Sequence, residues 1–117
     1  MTNKNTLATW LKTELESAKA KDIVILDVRS LTTITDCMAI CTGTSNRHLQ
    51  SIASKIAEQA KIDGLPLAII EGEPGSDWVL VDLGDAIIHV MQQEARDFYD
   101  LERLWGAEKR QTEGGKK

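Results

Sequence analysis

Residues 36–63 read DCMAICTGTSNRHLQSIASKIAEQAKID, and this stretch decides the fold. Met38 to Cys41 is an apolar run of strand length, broken by Thr42-Gly43-Thr44-Ser45. Beyond it Leu49, Ile52, Ala53, Ile56, Ala57 and Ala60 recur at helical spacing and form one apolar stripe. Ser45 suits the N-cap, because its hydroxyl accepts from an orphan N–H of the first turn. Gly64 suits the stop, since it enters the left-handed C′ conformation without strain, and Pro66 follows. The unit is strand, turn, helix.

Working outward, residues 6–20 predict a helix, with Leu7, Trp10, Leu11, Leu15 and Ala18 on one side, Thr6 as cap and Lys21-Asp22 as the end. Ile23 to Val28 is a β-branched run of strand length. Arg29 to Asp36 is a polar connection in which Leu31 and Ile34 are the expected anchors. Leu67 to Glu71 predicts a third strand, and residues 72–77 (GEPGSD) an exposed loop. The strand–helix–strand from Met38 to Glu71 suits a crossover joining parallel strands.

Trp78 to Leu83 and Ala86 to Met91 flank Gly84-Asp85 and predict a hairpin with a two-residue turn. That turn pairs Leu83 with Ala86, Val81 with Ile88 and Val79 with Val90, an all-apolar face for the core. The other face pairs Asp82 with Ile87, Leu80 with His89 and Trp78 with Met91. Four apolar side chains, a carboxylate and an imidazole suit neither a dry core nor a solvated surface. Either a helix covers this face, with His89 and Asp82 satisfied at the edge, or a partner docks on it with Trp78 as anchor. Glu94 to Trp105 is the last predicted helix, with Phe98, Leu101, Leu104 and Trp105 on its apolar edge and Gly106 as stop. Ala107 to Lys117 has no apolar side chain beyond alanine and reads as a disordered tail after a domain at 1–106. The whole predicts a single α/β (α+β mixed) domain: a mixed sheet of about five strands with flanking helices.

The chain of 117 residues carries net charge −4, with 42% hydrophobic residues. That argues against a basic nucleic-acid footprint and suits an acidic module docking on a basic protein. No apolar run approaches the roughly 20 residues of a membrane span. The polar N-terminus is no signal peptide, so the cytoplasm is expected. Cys37 and Cys41 fall on the same side of one strand and read as reduced, structural thiols; a catalytic thiol would need a histidine partner. The TGTS turn before a helix offers either ordinary capping or a phosphate site, but it lacks the P-loop lysine and the dinucleotide glycine spacing. No Cys/His cluster has zinc spacing, and Glu71, Glu73 and Asp77 read as solvated residues around a turn. Neither cofactor nor catalysis is expected.

The segments LDVRSLTTITD (26–36), CTGTSNRHLQSIA (41–53), EGEPGSDWVLVDLGDAIIHVM (71–91) and FYDLERLW (98–105) resemble the ribosomal silencing factors, the RsfS or Iojap family. The likeness runs over residues 5–105. Many members carry an aromatic pair where this chain has Cys37-Met38. The resemblance implies a nucleotidyltransferase-like fold. Gly43-Thr44-Ser45 echoes the start of that catalytic motif, but the paired aspartates that would hold magnesium do not follow it. The resemblance also implies binding to the large ribosomal subunit through its protein fourteen, a small basic barrel, and steric blocking of subunit joining when nutrients are short. On this expectation Trp78, Leu80 and Met91 supply apolar contact. Glu71, Asp77 and Asp82 meet basic partner residues, and Tyr99 lies on the bordering helix. Rival readings are a nucleotidyl-transfer enzyme using the TGTS turn and a homodimer, in the free state, through the mixed hairpin face.

Overall fold

Two strands are apolar nearly throughout, and they are the two that lie side by side in parallel. In the computed structural model, which describes residues 4–103, β2 (Cys37–Thr42) is buried at all six positions and β5 (Ala86–Met91) at five of six. A parallel pair covered on both faces reads as a continuous apolar run rather than an alternation. The remaining elements are α1 (Lys4–Ser17), β1 (Lys21–Asp27), α2 (Asn46–Ile62), β3 (Ile69–Glu71), β4 (Trp78–Asp82) and α3 (Gln93–Tyr99). The sheet order is β1-β2-β5-β4-β3. β2 and β5 are parallel, and the other three pairings are antiparallel. The expected five-stranded mixed sheet with flanking helices therefore forms.

The strand order departs from the simple crossover. β3 does not pair with β2; β5 and β4 stand between them, and β3 is an edge strand of three residues on β4. The six-residue register from Cys37↔Ala86 to Thr42↔Met91 takes the place beside β2.

α2 is capped as its sequence predicts: Ser45 Oγ accepts from His48 N–H (3.1 Å), and Gly64 is left-handed at φ 83°. Its six stripe residues are all buried, and Leu49, Ile52, Ala53, Ile56 and Ala60 share one cluster with α1 and one sheet face. Each fully buried Leu or Ile contributes about 1.5–3 kcal/mol, so the stripe and not helix propensity holds α2 in place. α1 buries Leu7, Leu11 and Leu15, and Ala18 just past its end is buried with them. It begins at Lys4, so Thr6 lies inside the first turn rather than at the cap. It stops at Ser17, with Lys19 left-handed at φ 70°, and Lys21-Asp22 belong to β1. Trp10 Nε1 donates to Asp63 Oδ2 (2.7 Å), tying α1 to the end of α2.

Two more expectations are corrected. Leu31 and Ile34 do not anchor the β1–β2 connection: both are exposed, Ile34 at 78%. The buried Thr35 does so, donating from its hydroxyl to Gly84 O (3.1 Å) in the β4–β5 turn. The last helix is not continuous. α3 ends at Tyr99, and Asp100 is left-handed at φ 51°. A further helical turn starts at Leu101, which is buried. Phe98, expected on the apolar edge, is 80% exposed. Leu104, Trp105, Gly106 and the boundary at 106/107 lie outside the described residues.

Candidate functional site: a half-covered sheet face

The hairpin forms in the predicted register, residue for residue: Trp78↔Met91, Val79↔Val90, Leu80↔His89, Val81↔Ile88 and Asp82↔Ile87, with Leu83 N donating to Ala86 O (2.8 Å). Side chains alternate between faces along a strand. Val79, Val81, Leu83, Ala86, Ile88 and Val90 join the α1/α2 core. The opposite face takes Trp78, Leu80, Asp82, Ile87, His89 and Met91. The register extends it through Met38, Ile40 and Thr42 of β2 and through Ile69 and Glu71 of β3.

This second face is divided. Over β1 and β2, Leu26, Met38, Ile40 and Met91 are buried with Ala95 of α3 and Leu101 just beyond it. Over β4, Tyr99 of α3 meets Trp78 at the strand's first residue. Leu80, Asp82 and Ile87 are half-buried there, and Ile69 and Glu71 are exposed. The mixed composition of the hairpin face has this cause: one half is helix-covered core, the other an open apolar strip.

Trp78 stands where the halves meet. It packs against the α3-side cluster while remaining half-buried. Its Nε1 donates to His89 Nδ1 (3.0 Å), and its ring lies 4.7 Å from that of Tyr99. Phe98 meets Tyr99 edge-on at 5.0 Å. His89 is buried, and burial pushes its imidazole down to about 4, so it is neutral at pH 7. With Nδ1 accepting from Trp78, the proton sits on Nε2. Nε2 is buried without a hydrogen-bond partner among the described residues, an arrangement costing about 1–3 kcal/mol. His89 is thus satisfied at one nitrogen only.

The other expected contact residues fall as follows. Tyr99 is 49% exposed beside Trp78. Glu71 is exposed next to Leu80 in register, and Asp77 is exposed just before β4. Asp82 lies on the open strip, but its Oδ1 also accepts from Gly84 N–H (2.9 Å) across the hairpin turn. Met91 is the exception. It is fully buried, because the chain turns back as α3 two residues later and Ala95 joins its cluster, so it offers no surface for contact. Sequence reasoning placed Ile87 on this face, paired with Asp82, but did not count it among the expected contacts, and it missed Ile69. For Ile69 the signal lay in the alternation carried across the sheet, once the strand order is known.

Sequence reasoning also missed a buried polar connection. Arg96 is 7% exposed; its Nη1 donates to Thr42 Oγ1 (2.7 Å) and its Nε to Glu102 Oε1 (2.9 Å). It fastens α3 to the end of β2 and so fixes the helix that carries Tyr99. The lone signal was an arginine beside Ala95 on a short helix.

The TGTS turn is occupied by its own helix. Thr44 N–H donates to His48 Nδ1 (2.9 Å) while Ser45 caps His48 N–H, so two donors that would face an anion are consumed. A Cβ on Gly43 would stand 2.6 Å from Leu49 Cδ2, so α2 packs directly on the turn. Cys37 and Cys41 are both buried on the α1/α2 side, and burial pushes the Cys41 thiol up to about 12, which removes it as a nucleophile at neutral pH. Among the described residues no three His, Cys, Asp or Glu side chains are grouped to hold a metal, and no helix is long and apolar enough to cross a membrane.

Fold and face together define a class: a small mixed α/β domain that presents an apolar, acid-rimmed strip of sheet beside an aromatic pair. The family model for the ribosomal silencing factor during starvation matches residues 1–117. The chain is 44% identical over 99 residues to the ribosomal silencing factor RsfS of Haemophilus influenzae, covering 85% of this chain and 97% of that protein. It is 40% identical over 91 residues to RsfS of Bacillus subtilis, covering 78% and 77%. A crystal structure of a Chromobacterium violaceum protein superimposes with a TM-score of 0.83 at 37% identity, covering 90% of this chain and 88% of that one. The chain belongs to the ribosomal silencing factor family.

Proposed function

We propose that this chain binds the large ribosomal subunit through its protein fourteen and, by occupying that surface, keeps the small subunit from joining, so that translation falls when nutrients are short. One observation carries the reading. Trp78 is held half-buried at the border of an open apolar strip formed by Leu80, Ile87 and Ile69, with Glu71, Asp77 and Asp82 around it. A half-buried indole beside aliphatic side chains is the usual make-up of an energetic anchor, and a carboxylate rim suits a basic partner. The net charge of −4 agrees.

Blocking by volume needs no catalytic group. An interface of standard size, roughly 800 Å² per partner, suffices. A mouse relative, 37% identical over 94 residues, is named for mitochondrial assembly of the ribosomal large subunit, which supports the large subunit as the docking surface. The chain spans 41% of that protein's length.

Titration of the purified chain against isolated large-subunit protein fourteen in a calorimeter tests the contact. One-to-one binding that weakens with salt is expected. No heat at any salt concentration contradicts the assignment of partner.

The open strip also favours a homodimer of the free chain. It adjoins β3, a three-residue edge strand whose Ile69 and Ile70 are exposed. Light scattering across a dilution series would show a falling mass, and addition of the ribosomal partner would dissociate the dimer.

A further inference from the structure

Trp78 is gripped from two sides. Tyr99 lies against the indole at 4.7 Å with the rings tilted by 47°, and His89 accepts the indole N–H at 3.0 Å. The two grips differ in kind. A tilted ring contact tolerates rotation of the indole within its own plane, whereas a hydrogen bond to one nitrogen fixes where Nε1 points.

His89 cannot itself be a partner contact: it is buried, and Nε2 has no surface. Nor is it explained by packing. Its register neighbours are Leu80 and Ile40, and an aliphatic side chain would fill the place without leaving a buried donor unpaired. What the imidazole adds is the acceptor at Nδ1.

We propose that His89 is a positioning residue: by accepting the indole N–H it holds Trp78 in the one orientation presented to the partner. This rests on the docking reading above. Fixing the side chain before association removes an ordering cost that binding would otherwise carry.

Three measurements test it. In nitrogen-15-labelled wild-type chain, a scalar coupling across the hydrogen bond should link Trp78 Nε1 and His89 Nδ1, with the Trp78 indole resonance assigned by its loss in Trp78→Phe. His89→Leu should fold, shift that resonance toward the value of a solvated indole, and bind the large subunit about tenfold more weakly. His89→Asn, whose Oδ1 falls near the place of Nδ1, should restore both the resonance and the binding. Absence of the coupling overturns the proposal without recourse to any variant. So does undiminished binding by folded His89→Leu, or failure of His89→Asn to recover either property. A wild-type chain that shows the coupling yet binds no large subunit overturns the docking reading, and the proposal with it. One that binds without the coupling overturns the proposal alone.

Discussion

Arg96 of α3 and Thr42 of β2, 54 positions apart in sequence, are joined by a 2.7 Å hydrogen bond from Nη1 to Oγ1 at a buried site. A seven-residue helix is too short to hold itself, so this bond and the burial of Ala95 fix where α3 lies.

Thr42→Val keeps the shape of the side chain and removes the acceptor. It leaves a buried guanidinium N–H unpaired, at a cost of about 1–3 kcal/mol. Thermal unfolding should show a fall in Tm of roughly 4–8 °C per kcal/mol. Binding to the large subunit should weaken as well, because Tyr99 rides on α3. An unchanged Tm would mean that the bond does not hold the helix.

The turn before α2 has no room for a methyl group. Gly43→Ala places a Cβ against Leu49 Cδ2 and forces the buried Leu49 side chain, the turn or the helix to shift. Overpacking of this kind costs about 1–3 kcal/mol. Urea unfolding of the variant should give a lower midpoint with an unchanged slope. Wild-type stability would show that the Leu49 side chain repacks at no cost.

His89 makes stability depend on pH. Burial lowers its pKa from the usual 6.5 to about 4, so the unfolded chain binds a proton at a pH where the folded chain does not. Stability from this group is full above about pH 6.5, declines as pH falls through the window, and is lost by about pH 4, to the extent of roughly 3 kcal/mol. Unfolding curves measured between pH 7 and pH 4 should lose that component in His89→Leu. An identical pH slope in the variant would assign it elsewhere.

Glu71→Gln and Asp77→Asn act at exposed positions. Each should slow association with the large subunit and flatten its salt dependence while leaving dissociation nearly unchanged, as rim charges do. Stopped-flow measurements at two ionic strengths separate the rates. A change confined to dissociation would place these carboxylates inside the contact rather than at its edge.

The hairpin was legible to the residue because a two-residue turn leaves one register, and that register sorts Val79, Val81, Ile88 and Val90 to one face. α2 was legible because its stripe, Ser45 and Gly64 all agree. The strand order was not, since nothing local to β3 says that β4 and β5 will insert between it and β2. Met91 and Phe98 were misplaced for a related reason. Both are apolar, and only the fold of α3 back over the sheet and the left-handed Asp100 decide that one is covered and the other exposed. The open strip was half legible: its mixed composition stood in the sequence, but the division between covered and open halves is tertiary.

The most direct test is a sucrose gradient of isolated large subunits incubated with the chain and then with small subunits. Blocking by volume predicts that the chain migrates with the large subunit and joined ribosomes disappear. Trp78→Ala, folded but weakened by about 2 kcal/mol or more, should let them form at the same concentration. Joined ribosomes in full yield with the wild-type chain present, or blocking by Trp78→Ala equal to that of the wild type, would contradict it.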